Sequence, residues 1–176
     1  MKKISAHEIA LSAVACALAT IAMTAGTLWS ALLFTGYLLG SFALMLPLAK
    51  NCWWGDVLAY AGACILTLFF NGFRIWDTLP FIVFFGLHPL VNALQLKFRI
   101  NRWVAAAVKA IWFDASMYLV WRFVFGGMTN SFAFVDEYIL PIILIGGTLF
   151  FLVYDRLFFR CQGAVNVLVN RFLGKK

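Results

Sequence analysis

Charge is scarce in this chain. Of its 176 residues only 12% are charged, against 64% that are apolar, whereas a water-soluble domain carries about a quarter charged residues. A soluble globular domain is thereby excluded. So is a disordered chain, which needs low hydrophobicity and high charge. Acidic side chains are the rarest class, seven against fourteen basic ones. Histidine occurs twice, as His7 and His88, with no second ligand at metal-binding spacing for either. The four cysteines form no CxxC pair, so neither a zinc site nor a disulfide framework is implied. Cys16 and Cys64 lie inside apolar runs and read as small hydrophobes. No GxSxG, HExxH, Walker loop or carboxylate pair occurs. The expectation is a chain with no catalytic residues, no cofactor and no metal.

What the chain has in abundance is long apolar runs. Six are separated by charge and turn residues, at about 9–25, 28–49, 53–70, 79–96, 103–125 and 138–159. Runs near 20 residues span a bilayer core of about 30 Å as helices, because a lipid-facing backbone must satisfy its own hydrogen bonds. A barrel would need alternating segments of about ten residues, and none is present. The fold class expected is all-α: a polytopic bundle of six transmembrane helices filling residues 1–160, with a basic amphipathic tail at 161–176. In that tail Val165, Leu168, Val169, Phe172 and Leu173 recur at helical spacing beside Arg171, Lys175 and Lys176. This pattern suits either the membrane surface, held there by anionic lipid, or a frayed terminus. Pro89 is expected to kink the fourth span.

The net charge of +7 does not point to nucleic acid, because the basic residues lie between apolar runs and not on one folded polar face. They orient the chain instead. With the N-terminus inside, Lys2, Lys3, Lys50, Lys97, Arg99, Arg102, Arg156, Arg160, Arg171, Lys175 and Lys176 all fall on the inner side. Arg74 is the basic residue of the outer loops, beside Asp77, Asp136 and Glu137. By the positive-inside rule both termini are cytoplasmic and the protein is multi-pass in the cell membrane. The first run lacks a clear small-x-small cleavage site and is expected to be retained.

Several polar and small residues recur on shared faces. Ala6, Ala10, Ala13 and Ala17 form one stripe of the first helix, and Ala15, Ala19 and Ala22 a second. Small residues let helix backbones approach in lipid; one stripe is enough for a neighbour within the bundle, which leaves the other for packing or for a partner protein. Gly36 and Gly40 make a GxxxG assigned to internal packing. In the fifth span Asp114, Tyr118, Trp121 and Arg122 share a face rising from mid-membrane outward. A carboxylate at that depth marks a cavity or a polar pin to a neighbouring helix. Lys109, well round the helix, is expected to snorkel to the cytoplasmic surface. Trp29 and Ser30, with Asn71, Arg74, Trp76 and Asp77, stand at outward ends, where aromatics also serve as membrane anchors. Asp56, Tyr60, Ala63, Thr67 and Asn71 line one side of the third helix. His88, Asn92 and Gln95 read as a polar helix pin.

Six short-looped spans with both ends inside, together with Ala6/Ala10 and Ala13/Ala17 as Ala-x-x-x-Ala pairs, resemble the substrate-binding S components of energy-coupling factor (ECF) transporters. The stretches FFGLHPLVNAL and KAIWFDASMYLV are similar to those of small bacterial membrane proteins with that layout. The resemblance implies an outward site for a small-molecule solute such as a vitamin. It also implies docking on a transmembrane coupling subunit that joins two cytoplasmic ATPases. On that resemblance Asp114, Tyr118, Trp121, Arg122, Asn71 and Trp29 are the candidate solute-binding residues, and Ala6, Ala10, Ala13 and Ala17 the candidate docking face. The connection at Gly26-Thr27 is shorter than the lid loop of many S components, and 126–137 is the alternative lid. A non-transporting scaffold similar to the rod-shape-determining MreD family is the other expectation.

Overall fold

The computed structural model describes residues 5–124 and 137–173. Regular structure there is helical throughout, with no strand among the described residues. Six helices are long and apolar enough to cross a membrane: Ala6–Leu28, Ser30–Leu48, Trp53–Phe70, Ile75–Lys97, Arg102–Phe123 and Ile139–Phe172. The chain is an all-α, six-helix membrane protein.

The first four spans contain helices α1 (Ala6–Leu28), α2 (Leu33–Leu48), α3 (Trp53–Phe70), α4 (Ile75–Pro80) and α5 (His88–Lys97). The last two contain α6 (Arg102–Val124), α7 (Ile139–Pro141) and α8 (Thr148–Leu173). Two compact units result, Met1–Leu94 with Phe159–Lys176, and Gln95–Phe158. Local sequence explains where the helices begin and break. Ser5 and Glu8 form a capping box: the Glu8 amide donates to Ser5 Oγ at 3.3 Å and the Ser5 amide to Glu8 Oε2 at 2.8 Å. Two of the amides orphaned at the helix start are thereby satisfied. Left-handed Asn51 (φ 54°) and the pair Gly72 (φ 69°) and Phe73 (φ 60°) make the tight turns on either side of α3.

The fourth span is broken in the turn before Pro89, as expected of a residue that cannot donate to the carbonyl four positions earlier. Between Pro80 and Pro89 the chain passes through a π-helical turn at Phe81–Phe85 and a turn at Gly86 and Leu87 before α5 starts at His88. A second π turn, Ile142–Gly147, follows Pro141 in the sixth span. The last helix runs without a break past Arg160 to Leu173, so residues 161–173 of the basic tail continue the sixth span. It is tied back within the first unit by Lys50 Nζ donating to Asn170 Oδ1 at 2.9 Å.

Close backbone packing holds the first unit together. Gly26 on α1 faces Gly36 on α2, and a Cβ on Gly36 would stand 2.8 Å from the Ala22 carbonyl oxygen. The GxxxG of α2 is therefore internal, as expected. Polar side chains satisfy the irregular fourth span. Ser41 Oγ donates to the Phe85 carbonyl at 2.6 Å, Tyr60 OH to that of Ile82 at 2.7 Å, and Tyr37 OH to that of Asp77 at 2.6 Å.

Candidate functional site

The two alanine stripes of α1 have opposite fates. Ala15 and Ala19 are buried and Ala22 half-buried, on the side that packs within the first unit. Ala6, Ala10, Ala13 and Ala17 are all exposed, with Ile9, Val14 and Ile21 beside them. The spacing that produces both faces is the 3.6-residue helical repeat. The outward stripe is a smooth, side-chain-poor surface available to another helix.

Among the residues expected to hold a solute, Asn71 and Trp29 belong to the first unit. Asn71 is buried and structural: its Nδ2 donates to Thr78 Oγ1 at 3.0 Å and its Oδ1 accepts from the Arg74 amide at 3.1 Å. It closes the turn between α3 and α4. Trp29 is 68% exposed at the end of α1. Arg74 Nη1 donates to the Thr27 carbonyl at 3.3 Å, so this cation meets the carbonyl end of α1, where the helix dipole favours it. Asp56, Ala63, Thr67 and Asn71 are buried along one side of α3, with Tyr60 half-buried. His88, Asn92 and Gln95 are all buried, with the His88 ring 5.3 Å from that of Phe84.

The second unit holds the other four. Asp114 is 8% exposed on α6, with Oδ2 accepting from Thr148 Oγ1 at 2.7 Å. Its Oδ1 is buried and has no hydrogen-bond partner among the described residues. Tyr118 and Arg122 are exposed, and Trp121 is half-buried with its ring 5.7 Å from that of Tyr118. The face predicted for α6 thus divides: the acid turns into the α6–α8 seam, while an aromatic pair and a guanidinium stand outward. The alternative lid lies outside the described residues except for exposed Glu137.

Lys109 departs from expectation. It does not snorkel; it is 3% exposed and bonded to Asp155 Oδ1 at 2.5 Å. A carboxylate on the facing helix is a better partner than a surface more than a turn away. Sequence inspection passed over Asp155, which stands seven residues after Thr148 on the same face of α8. That spacing was the available signal. Phe151, fully buried on that face, lies between the two polar layers, its ring 5.7 Å from that of Phe113.

No protein-family model matches this chain, and no curated protein or solved structure matches it either.

Proposed function

We propose that the chain is the solute-binding membrane subunit of an ECF-type importer, with both termini cytoplasmic. It captures a small solute at the outer face and docks on a transmembrane coupling subunit through α1. The observation that supports this most is the outward alanine stripe. The helix buries Ala15 and Ala19 within its own unit and leaves Ala6, Ala10, Ala13 and Ala17 exposed among the described residues. In lipid, close packing of small residues is a principal source of helix association. Tyr118, Trp121 and Arg122 supply flat apolar rings and a planar donor fork, which suit an aromatic or carboxylate-bearing solute.

Tryptophan at Ala10 or Ala13 tests the docking face. Either substitution is expected to reduce copurification with a coexpressed coupling subunit at least tenfold while leaving the unfolding midpoint of the isolated chain unchanged. Ala19→Trp, on the buried side, is expected to destabilise the chain itself. Undiminished complex yield with both outward variants would remove the docking face from the proposal. The scaffold alternative gains from one observation: Asn71 and Asp114 are each bonded to a threonine of their own unit, as structural pins would be.

A further inference from the structure

The two π turns are built alike but carry different groups. Each follows a Leu-Pro pair, Leu79-Pro80 or Leu140-Pro141, and each has a glycine six residues after the proline, Gly86 or Gly147. A π turn takes backbone carbonyls off the regular helical ladder and recurs at functional sites. At the first, the Tyr60 ring lies against Gly86, Cε2 standing 2.6 Å from where a Cβ would be, and the Tyr60 hydroxyl donates to the Ile82 carbonyl. At the second, the group against the corresponding glycine is an acid: Asp114 Oδ1 stands 3.2 Å from where a Cβ on Gly147 would be. A tyrosine has a proton to give to such a turn, whereas an ionised carboxylate has none.

Charge along the same seam is unbalanced. The buried charged residues described in Gln95–Phe158 are Lys109, Asp114 and Asp155. Lys109 and Asp155 neutralise each other, leaving Asp114 with one oxygen on Thr148 and the other buried without a hydrogen-bond partner among the described residues. One uncompensated negative charge in a membrane interior is expensive. We propose that Asp114 holds a single positive charge against the second π turn. The charge is either a proton, which makes the acid a donor as Tyr60 is at the first turn, or a sodium ion shared by Oδ1, the Thr148 hydroxyl and the turn's carbonyls. The site does not depend on the importer proposal. Of the groups around it, Thr148 faces Asp114 from α8, the π turn contributes no titratable side chain, and Tyr118 stands one turn further along α6. Lys109 and Asp155, the nearest charged pair along the seam, are engaged with each other.

The test uses the full chain in lipid nanodiscs at constant ionic strength and neutral pH, with sodium chloride exchanged for N-methylglucamine chloride. Two readouts are taken: the unfolding midpoint, and labelling of Asp114 by dicyclohexylcarbodiimide, an apolar reagent that attacks the protonated acid. A bound proton predicts labelling of Asp114 that is unaffected by sodium. A bound sodium ion predicts a higher midpoint in sodium and at least tenfold less labelling. Asp114→Asn, neutral and itself a donor, should abolish the label and the sodium response. The proposal is overturned if wild type shows neither labelling at Asp114 nor a sodium effect, or if Asp114→Asn keeps the full sodium response. Should that variant not fold, the two wild-type readouts alone decide.

Discussion

Lys109→Ala is expected to destabilise the protein by about 3–5 kcal/mol, the usual effect of removing one partner of a buried ion pair. The loss arises less from the missing attraction than from the buried Asp155 carboxylate, which loses the Lys109 ammonium. The pair is well shielded, with side-chain exposures of 3% for Lys109 and 12% for Asp155. The double variant Lys109→Met/Asp155→Leu removes both charges and keeps apolar volume in the seam. It is expected to recover most of the loss, because well-packed apolar residues replace buried ion pairs at little or no cost. Reversible unfolding in mixed micelles measures both. A single variant as stable as wild type would mean that the two side chains do not form the α6–α8 link.

Gly36→Leu is expected to be the most disruptive change in the first unit, at about 3 kcal/mol, the upper end of ordinary overpacking. The atoms a side chain would meet there are backbone: the Ala22 carbonyl oxygen at 2.8 Å and Gly26 Cα at 3.1 Å. Backbone in two packed helices has no rotamer by which to yield, so α1 and α2 must separate. Gly163→Ala is the matching control. Nothing lies within 4 Å of its Cβ position on α8, so the gain in helix propensity, up to about 1 kcal/mol, is the expected effect. Equal stability of Gly36→Leu and wild type in the same unfolding assay would contradict the close α1–α2 crossing.

The bundle was legible because its signal is long and redundant. Each span is a run of many apolar residues, and the third was delimited by the sequence pattern at the same residues the structure gives, Trp53–Phe70. Features that depend on a distant partner were less legible. Lys109 bonds a residue 46 positions away, and Asp155 beside Arg156 resembles an ordinary inner-end charge pair. Pro89 marks the break in the fourth span, but periodicity does not show the π turn that precedes it at Phe81–Phe85. The repeated Leu-Pro…Gly pattern before each π turn was present in the sequence, but its meaning depends on Tyr60 and Asp114, which reach it from other helices. For the candidate site, helical spacing grouped Asp114 with Tyr118, Trp121 and Arg122. It gave no sign that the α6–α8 seam would draw the acid inward while Tyr118 and Arg122 stay exposed.

The importer proposal is tested most directly by uptake. Cells expressing this chain with a coupling subunit and its two ATPases would be supplied with a panel of radiolabelled vitamins and compared with cells lacking either the chain or the coupling subunit. The account predicts that at least one solute accumulates only when all components are present, and that Arg122→Ala or Ala10→Trp reduces its accumulation at least tenfold. A chain that inserts and forms the complex, yet neither retains nor accumulates any solute of the panel, would contradict the account.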